Sequence, residues 1–390
     1  MIILTLMNTI SERYASYIIK RQLRLEQGER LTVNCTEDTL GFAGTLSKMA
    51  AEATGAPVQL VYIKDGKVET VEQIDPDFQS GALGRTVMVH LASFPAYRAL
   101  EESELNAKEL QEYRLISEPV ITDREISVPW ATVYVPTASW AEFVFGPGST
   151  TDSLWLMISE MLSLDKEGID LMIQDEIHKS RRKRLEDEKI TDIYIKGPSC
   201  DLHLKKNRRA KITGTLSCLR DGRSFEPSSP AEDTVIALDE FSGEGTFRTT
   251  YPFRLFDRVF QDAEITVKDG RITAFSVEDG ARHATKYLSI DEESGRVGEL
   301  VLADGYTPVS RLSVSSGIPS IDQMRTTSIA FGGITPEAVK PGSDEELKAD
   351  GVNTSFVRLA LPLGEKETEI RAYTEDGRYI TLMEDGIMLF

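Results

Sequence analysis

The chain has 390 residues, 41% hydrophobic and 27% charged, the balance of an ordinary globular protein and too long for one typical domain. Its formal net charge of −19 argues against nucleic acid and anionic membranes as partners. Three cysteines, Cys35, Cys200 and Cys218, are odd in number and widely spaced, so neither a disulfide framework nor a zinc-type cluster is expected, and a reducing cytoplasm is the expected location.

The opening MIILTLMNTISERY has a short apolar run without a basic n-region or a small-residue cleavage site, so no signal peptide is expected. No stretch approaches the ~18 apolar residues of a membrane span. Residues 9–26 read as a helix, with Thr9 and Glu12 as a capping box and Gly28 as its stop. RLTVNCT (30–36) reads as a strand, residues 37–55 as a helix ended by Gly55, and PVQLVYI (57–63) as a second strand. Strand, helix and strand in such short compass predict a βαβ unit in a parallel sheet. RTVMVHLAS (85–93) and PWATVYVPT (129–137) are further strands, with Glu-rich helical sequence at 95–115 between them. Two helical stretches, about 150–164 and 167–188, complete this half.

The character changes near residue 190. ITDIYIKG, CDLHLKK, AKITGTL (210–216), DAEITVKDGRITAFSV, GELVLADG and ETEIRAYTEDGRYITLMEDGIML are short alternating segments. Lys-Asp-Gly at 268–270 and Glu-Asp-Gly at 375–377 and 384–386 are hairpin turns. The expected organisation is an α/β domain over 1–192 with a largely parallel sheet, then a β-rich domain over 193–390.

No nucleotide-binding, zincin or nucleophile-elbow motif occurs. FGPGST (145–150) precedes a helix and reads as a plain loop, though its backbone amides are able to hold an anion. The four histidines, His90, His178, His203 and His283, show no metal-ligand spacing, which counts against a His-based metal site. The basic runs HKSRRKR and KKNRRAK lack interleaved aromatics and read as solvated surface. GVNTSFVRLALPLG (351–364) alternates as a strand, with Val357, Leu359, Leu361 and Leu363 on one face and Phe356, Arg358, Ala360 and Pro362 on the other.

Several segments together resemble the thermophilic metalloaminopeptidases, the aminopeptidase T and aminopeptidase S family. They are LEQGERLTV, WATVYVPTASWAEFVF, IYIKGPSCDLHL, SGRVGELVLADGYTPVSR and GVNTSFVRLALPLG, in the family's order and over nearly the whole chain. The resemblance implies that fold, a homodimer, and removal of N-terminal residues from peptides by two divalent cations such as zinc, cobalt or manganese. Paired cations lower the pKa of a bridging water and clamp the developing oxyanion.

Carried over position by position, the resemblance assigns Glu299, within Val297-Gly298-Glu299, as the catalytic and metal-binding carboxylate. Asp233 (or Glu232) stands for a second metal-binding carboxylate. Asp322 is kept from the next motif, Ser328 stands where a ligand histidine belongs, and a family tyrosine near Thr335 is absent. The family's His-x-Asp falls on Arg358 and Ala360. Arginine has five donors and no acceptor, so it cannot ligate a cation. Glu232, Asp322, Ser328 and Arg358 are therefore expected to line a pocket holding no metal, or one magnesium- or manganese-like ion between Asp233 and Glu299. Arg358 either pairs with Glu299 or Asp233 or reaches solvent. Three functions follow: a metallopeptidase homologue with a degenerate site, a non-catalytic protein binding a peptide or small carboxylate ligand, and a relative of the ring-cleaving non-haem iron dioxygenases of the same fold.

Overall fold

The structure, a computed structural model, describes residues 2–64, 67–71, 86–94, 106, 108, 128–165, 168–219, 222–231 and 233–389. Two units emerge from the contact pattern. One comprises Met1–Ala96, Gln111–Leu171 and Thr215–Ala231, the other Tyr97–Leu110, Met172–Gly214 and Glu232–Phe390.

The first unit is built on β1 (Arg30–Cys35), β2 (Val58–Lys64), β3 (Lys67–Val71), β4 (Thr86–Ala92) and β5 (Trp130–Tyr134). The sheet order is β3-β2-β1-β4-β5; β3 is antiparallel to β2 and the other four strands are parallel. Helix α1 (Ile2–Tyr17) packs on α2 (Leu40–Thr54), and α2 packs on β1 and β2. Thr36 and Thr39 cap the 3₁₀ turn that leads into α2, and Gly55, at φ +68°, ends it through its N–H to the Ala51 carbonyl. The predicted βαβ unit is present.

Two expectations in this half need correction, and a third is not tested. The first helix starts at Ile2, so Thr9 and Glu12 lie inside it and form no capping box. It ends in a π-helical turn, Ile18–Gln22, beside the fully buried Glu226, which pairs with Arg21 at 2.8 Å and accepts from the Tyr17 hydroxyl at 2.9 Å. The strand read to residue 137 stops at Tyr134, and Ala138–Phe145 is a helix whose start is capped by the Thr137 hydroxyl. The Glu-rich helix read at 95–115 lies outside the described residues except at Asn106 and Lys108.

The second unit carries two antiparallel sheets. Its strands are β6 (Ile190–Gly197), β7 (Cys200–Lys205), β10 (Asp233–Ala237), β11 (Glu244–Arg248), β14 (Glu264–Lys268), β15 (Arg271–Ser276), β16 (Val297–Ala303), β17 (Ser328–Gly332), β18 (Arg358–Pro362), β19 (Glu369–Thr374), β20 (Tyr379–Glu384) and β21 (Ile387–Met388). The short pair β12–β13 (Phe253–Leu255, Arg258–Phe260) forms a ribbon of its own, and the other short pair, β8–β9 (Ser217–Cys218, Ser224–Phe225), belongs to the first unit. The large sheet runs β15-β14-β11-β7-β6-β19-β20-β21 and the small one β10-β16-β17-β18. The predicted Asp-Gly turns close β14–β15 and β20–β21, with Asp269, Gly270, Asp385 and Gly386 all at positive φ. AKITGTL is no strand; only Ala210 and Thr213 make isolated bridges, to Val339 and Val235.

The two sheets share one core. Ile193, Ile195, Leu202 and Leu204 of the large sheet join Leu300, Ile329, Phe331, Leu359 and Leu361 of the small one, and Phe247 stacks on Phe331 at 6.5 Å between ring centres. The alternation of β18 thus sends its leucines inward and turns Arg358 and Ala360 to the other face.

One buried acid sets a pH dependence. Glu240 is 2% exposed, and burial first, then the charge of Glu293, pushes its carboxyl up to about 7. The folded chain then holds a proton that the unfolded chain has already released above about 4.5. Stability is expected to fall by roughly 1–3 kcal/mol as pH rises from 5 to 8 on this account, and Glu240→Gln is expected to remove the slope. Urea titrations of both proteins at the two pH values test this; equal slopes would refute it.

Candidate functional site

The outward face of the small sheet gathers the residues of interest. Antiparallel partners point to the same face, so the register reads out its rows. Ala237, Glu299, Ala330 and Ala360 form one row across β10, β16, β17 and β18. One carboxylate thus stands among three methyl groups. Val301, Ser328 and Pro362 form the next row, and Gly332 lies opposite Arg358 on the other side.

Gly298 puts Glu299 in place. The register slips between Val297 and Glu299, and a Cβ at Gly298 would stand 2.2 Å from the Gly332 carbonyl oxygen. Only glycine permits that approach. The start of β18 is set by the Asn-Thr-Ser segment. The Asn353 amide donates to the carbonyls of Glu293 and Arg296 at 2.9 and 3.2 Å, Thr354 binds the Glu293 carboxylate through its N–H at 2.6 Å and its hydroxyl at 2.8 Å, and the Ser355 hydroxyl donates to Asp291 at 2.7 Å. These bonds fix β18 relative to the start of β16, and so Arg358 relative to Glu299.

Glu299 is fully buried, and both its oxygens are engaged. Arg358 Nε donates to Oε2 at 3.0 Å, and the Thr335 backbone N–H donates to Oε1. Arg358 Nη1 donates to Gln323 Oε1 at 3.1 Å, and its side chain stays 31% exposed. Of the two alternatives the sequence left open for Arg358, the structure has the pairing with Glu299.

The other expected residues are elsewhere. Asp233 opens β10 opposite Ala303, four residues from Ala237, the neighbour of Glu299. That offset is roughly 13 Å along a strand, so Asp233 and Glu299 do not share one ion. The Asp233 backbone carbonyl accepts from Arg182 at 3.0 Å. Glu232 lies outside the described residues. Ser328 is buried, and its hydroxyl donates to the Thr326 carbonyl at 3.3 Å. Asp322 is spent on the loop before it, accepting from the Ser315 hydroxyl at 2.7 Å and the Ser316 and Gly317 N–H groups at 2.8 and 2.9 Å. Burial raises its carboxyl above the usual range against those bonds. Its neighbour Gln323 is what reaches Arg358. Sequence reasoning missed Gln323, the Thr335 amide and the Asn353 clasp. Gln323 was legible as an acceptor beside Asp322, whereas the amide carries no side-chain signal.

A cation does not fit the row of Glu299. The one carboxylate of that row already receives two donors, its alanines offer none, and a guanidinium repels positive charge. Among the described residues no group of three or more His, Cys, Asp or Glu stands in a metal-holding arrangement. Nor is any described helix long and apolar enough to cross a membrane.

Comparison with known proteins gives the context. The family profile described as thermophilic metalloprotease (M29) matches residues 87–388. Aminopeptidase 2 of Geobacillus stearothermophilus is 23% identical over 410 residues, covering 97% of each chain. Among solved structures, the wild-type AmpT of Thermus thermophilus superposes with a TM-score of 0.82 at 19% identity, over 98% of this chain and 100% of that one. A dihydroxypyridine dioxygenase of Pseudomonas putida KT2440 gives 0.55 at 10% identity over 98% of each chain. Both structural likenesses speak to the fold.

Proposed function

Because the chain belongs to the thermophilic metalloprotease family M29, we propose that it uses an aminopeptidase scaffold to bind a peptide or small carboxylate ligand without hydrolysing it. The ion pair between Arg358 and the buried Glu299 carries this reading. The family's reaction needs carboxylates and imidazoles free to hold cations. In this chain the guanidinium holds the carboxylate instead.

The pair also defines what is left to bind with. Arg358 spends Nε on Glu299 and Nη1 on Gln323, which locks its plane and leaves Nη2 for a ligand. A carboxylate accepting from Nη2 gains a charge-assisted bond worth about 1.5–3 kcal/mol. Glu299 offsets part of the charge, so the recognition is directional more than coulombic. A homodimer in the cytoplasm completes the reading, and mass photometry tests its first part.

The full-length protein is to be titrated with manganese, cobalt and zinc and assayed with leucine p-nitroanilide. Expected are no saturable uptake of a cation at this face and no anilide release. Turnover abolished by Glu299→Gln would establish a peptidase instead, and co-purifying iron lost in the same variant would favour the dioxygenase-like reading. Leucyl-glycine is expected to bind at least tenfold tighter than its amide, and Arg358→Gln to erase the difference.

A further inference from the structure

The parallel sheet of the first unit has one unusual face. Strands of such sheets normally read as continuous apolar runs. One face obeys, with Leu31, Val33, Val87, Val89, Leu91 and Val133 all buried. The register sets the alternate residues in two rows across β2, β1, β4 and β5. The first is Gln59–Thr32–Met88–Trp130 and the second Val61–Asn34–His90–Thr132. Polar side chains hold most of both rows.

The position within the sheet has meaning. From β1 the sheet grows outward to β2 on one side and to β4 on the other. This is the topological switch point of an open parallel sheet, where ligands bind near the carboxyl ends of the strands. Asn34 and His90 face each other across it, one residue before the end of β1 and two before the end of β4.

Three buried polar atoms here lack a hydrogen-bond partner among the described residues: Asn34 Oδ1, His90 Nδ1 and Trp130 Nε1. Asn34 is fully buried, and among the described residues its amide nitrogen reaches only the Met88 sulfur, at 3.3 Å. Buried polar groups are rarely left bare in folded proteins. Three of them in adjoining rows mark a place completed by something other than a side chain.

We infer that the Asn34–His90–Trp130 corner binds a small uncharged molecule bearing an amide or imide. Asn34 Oδ1 only accepts and Trp130 Nε1 only donates, so the ligand must offer both a donor and an acceptor. An amide carries the two on one rigid frame. Neither row contains a permanently charged side chain, and burial pushes the His90 imidazole down to about 4, so it is neutral at physiological pH. A phosphate is disfavoured as well, because the turn following β1 opens on Glu37 and Asp38.

The test is calorimetric titration of the full chain with uracil and benzamide, and with 1,3-dimethyluracil and N,N-dimethylbenzamide, which keep the frames and lose the N–H donors. At least one parent compound is expected to bind saturably below about 1 mM, its methylated form at least tenfold more weakly. Trp130→Phe keeps a smaller aromatic ring and removes the donor; it is expected to fold, by circular dichroism, and to weaken binding about five- to tenfold. Absence of saturable binding, equal binding of parent and methylated probes, or indifference to Trp130→Phe would each overturn the assignment. So would a high-resolution crystal structure of the protein with the probes in which ordered waters alone serve the three atoms.

Discussion

Replacing Arg358 with alanine is expected to destabilise the second unit by about 3 kcal/mol, most of it the cost of leaving Glu299 charged and buried with only the Thr335 amide. The arginine itself is 31% exposed, so its own desolvation contributes little, and the fully buried partner sets the figure. For a domain of some 200 residues that corresponds to a melting shift of roughly 6–12 °C. Glu299→Leu combined with Arg358→Met removes both charges at similar volume and is expected to lie within about 1 kcal/mol of the parent. Differential scanning calorimetry of the three proteins decides. A loss below 1 kcal/mol in the single variant would show that the pair is open to water, and the cation argument would fail with it.

Gly298→Ala is expected to cost at least about 3 kcal/mol or to prevent folding of the second unit. The new methyl would meet the Gly332 carbonyl oxygen at 2.2 Å and its carbon at 3.3 Å. Both are backbone atoms of the paired strand, so no rotamer change relieves the clash. The slip that brings Glu299 opposite Ala330 would be lost together with the approach. Gly44→Ala is the control. That glycine is exposed in the middle of α2 with no atom within 4 Å of its added Cβ, and the change is expected to stabilise by about 0.5–1 kcal/mol. Urea denaturation followed by tryptophan fluorescence and far-ultraviolet circular dichroism reads both. A mild effect at Gly298 would mean that the bulge tolerates a side chain.

Local chemistry explains what the sequence disclosed of this fold. The helix stop at Gly55, the Asp-Gly turns and the alternation of β18 each depend on neighbours within a few residues, and they were readable. The π-helical turn at Ile18–Gln22 was not, because it forms where Glu226, some 200 positions away, meets Tyr17 and Arg21. Residues 210–216 alternate like a strand, yet lack a continuous partner and make only isolated bridges. At the site, period-two patterning placed Arg358 and Ala360 on one face of their strand, and the resemblance to the family's His-x-Asp marked them as site positions that lack an acceptor. The distance of Asp233 from Glu299 was not, since it follows from the pairing of β10 with β16, a register that no local pattern encodes.

The three alanines around Glu299 carry an evolutionary consequence. A single mutation placing an imidazole or carboxylate at position 237, 330 or 360 would add one donor next to a guanidinium already seated. Mutating the guanidinium first would strand a buried charge. Losing Arg358 is therefore the costly step toward a cation centre on this face, because the fully buried Glu299 would be left without its guanidinium.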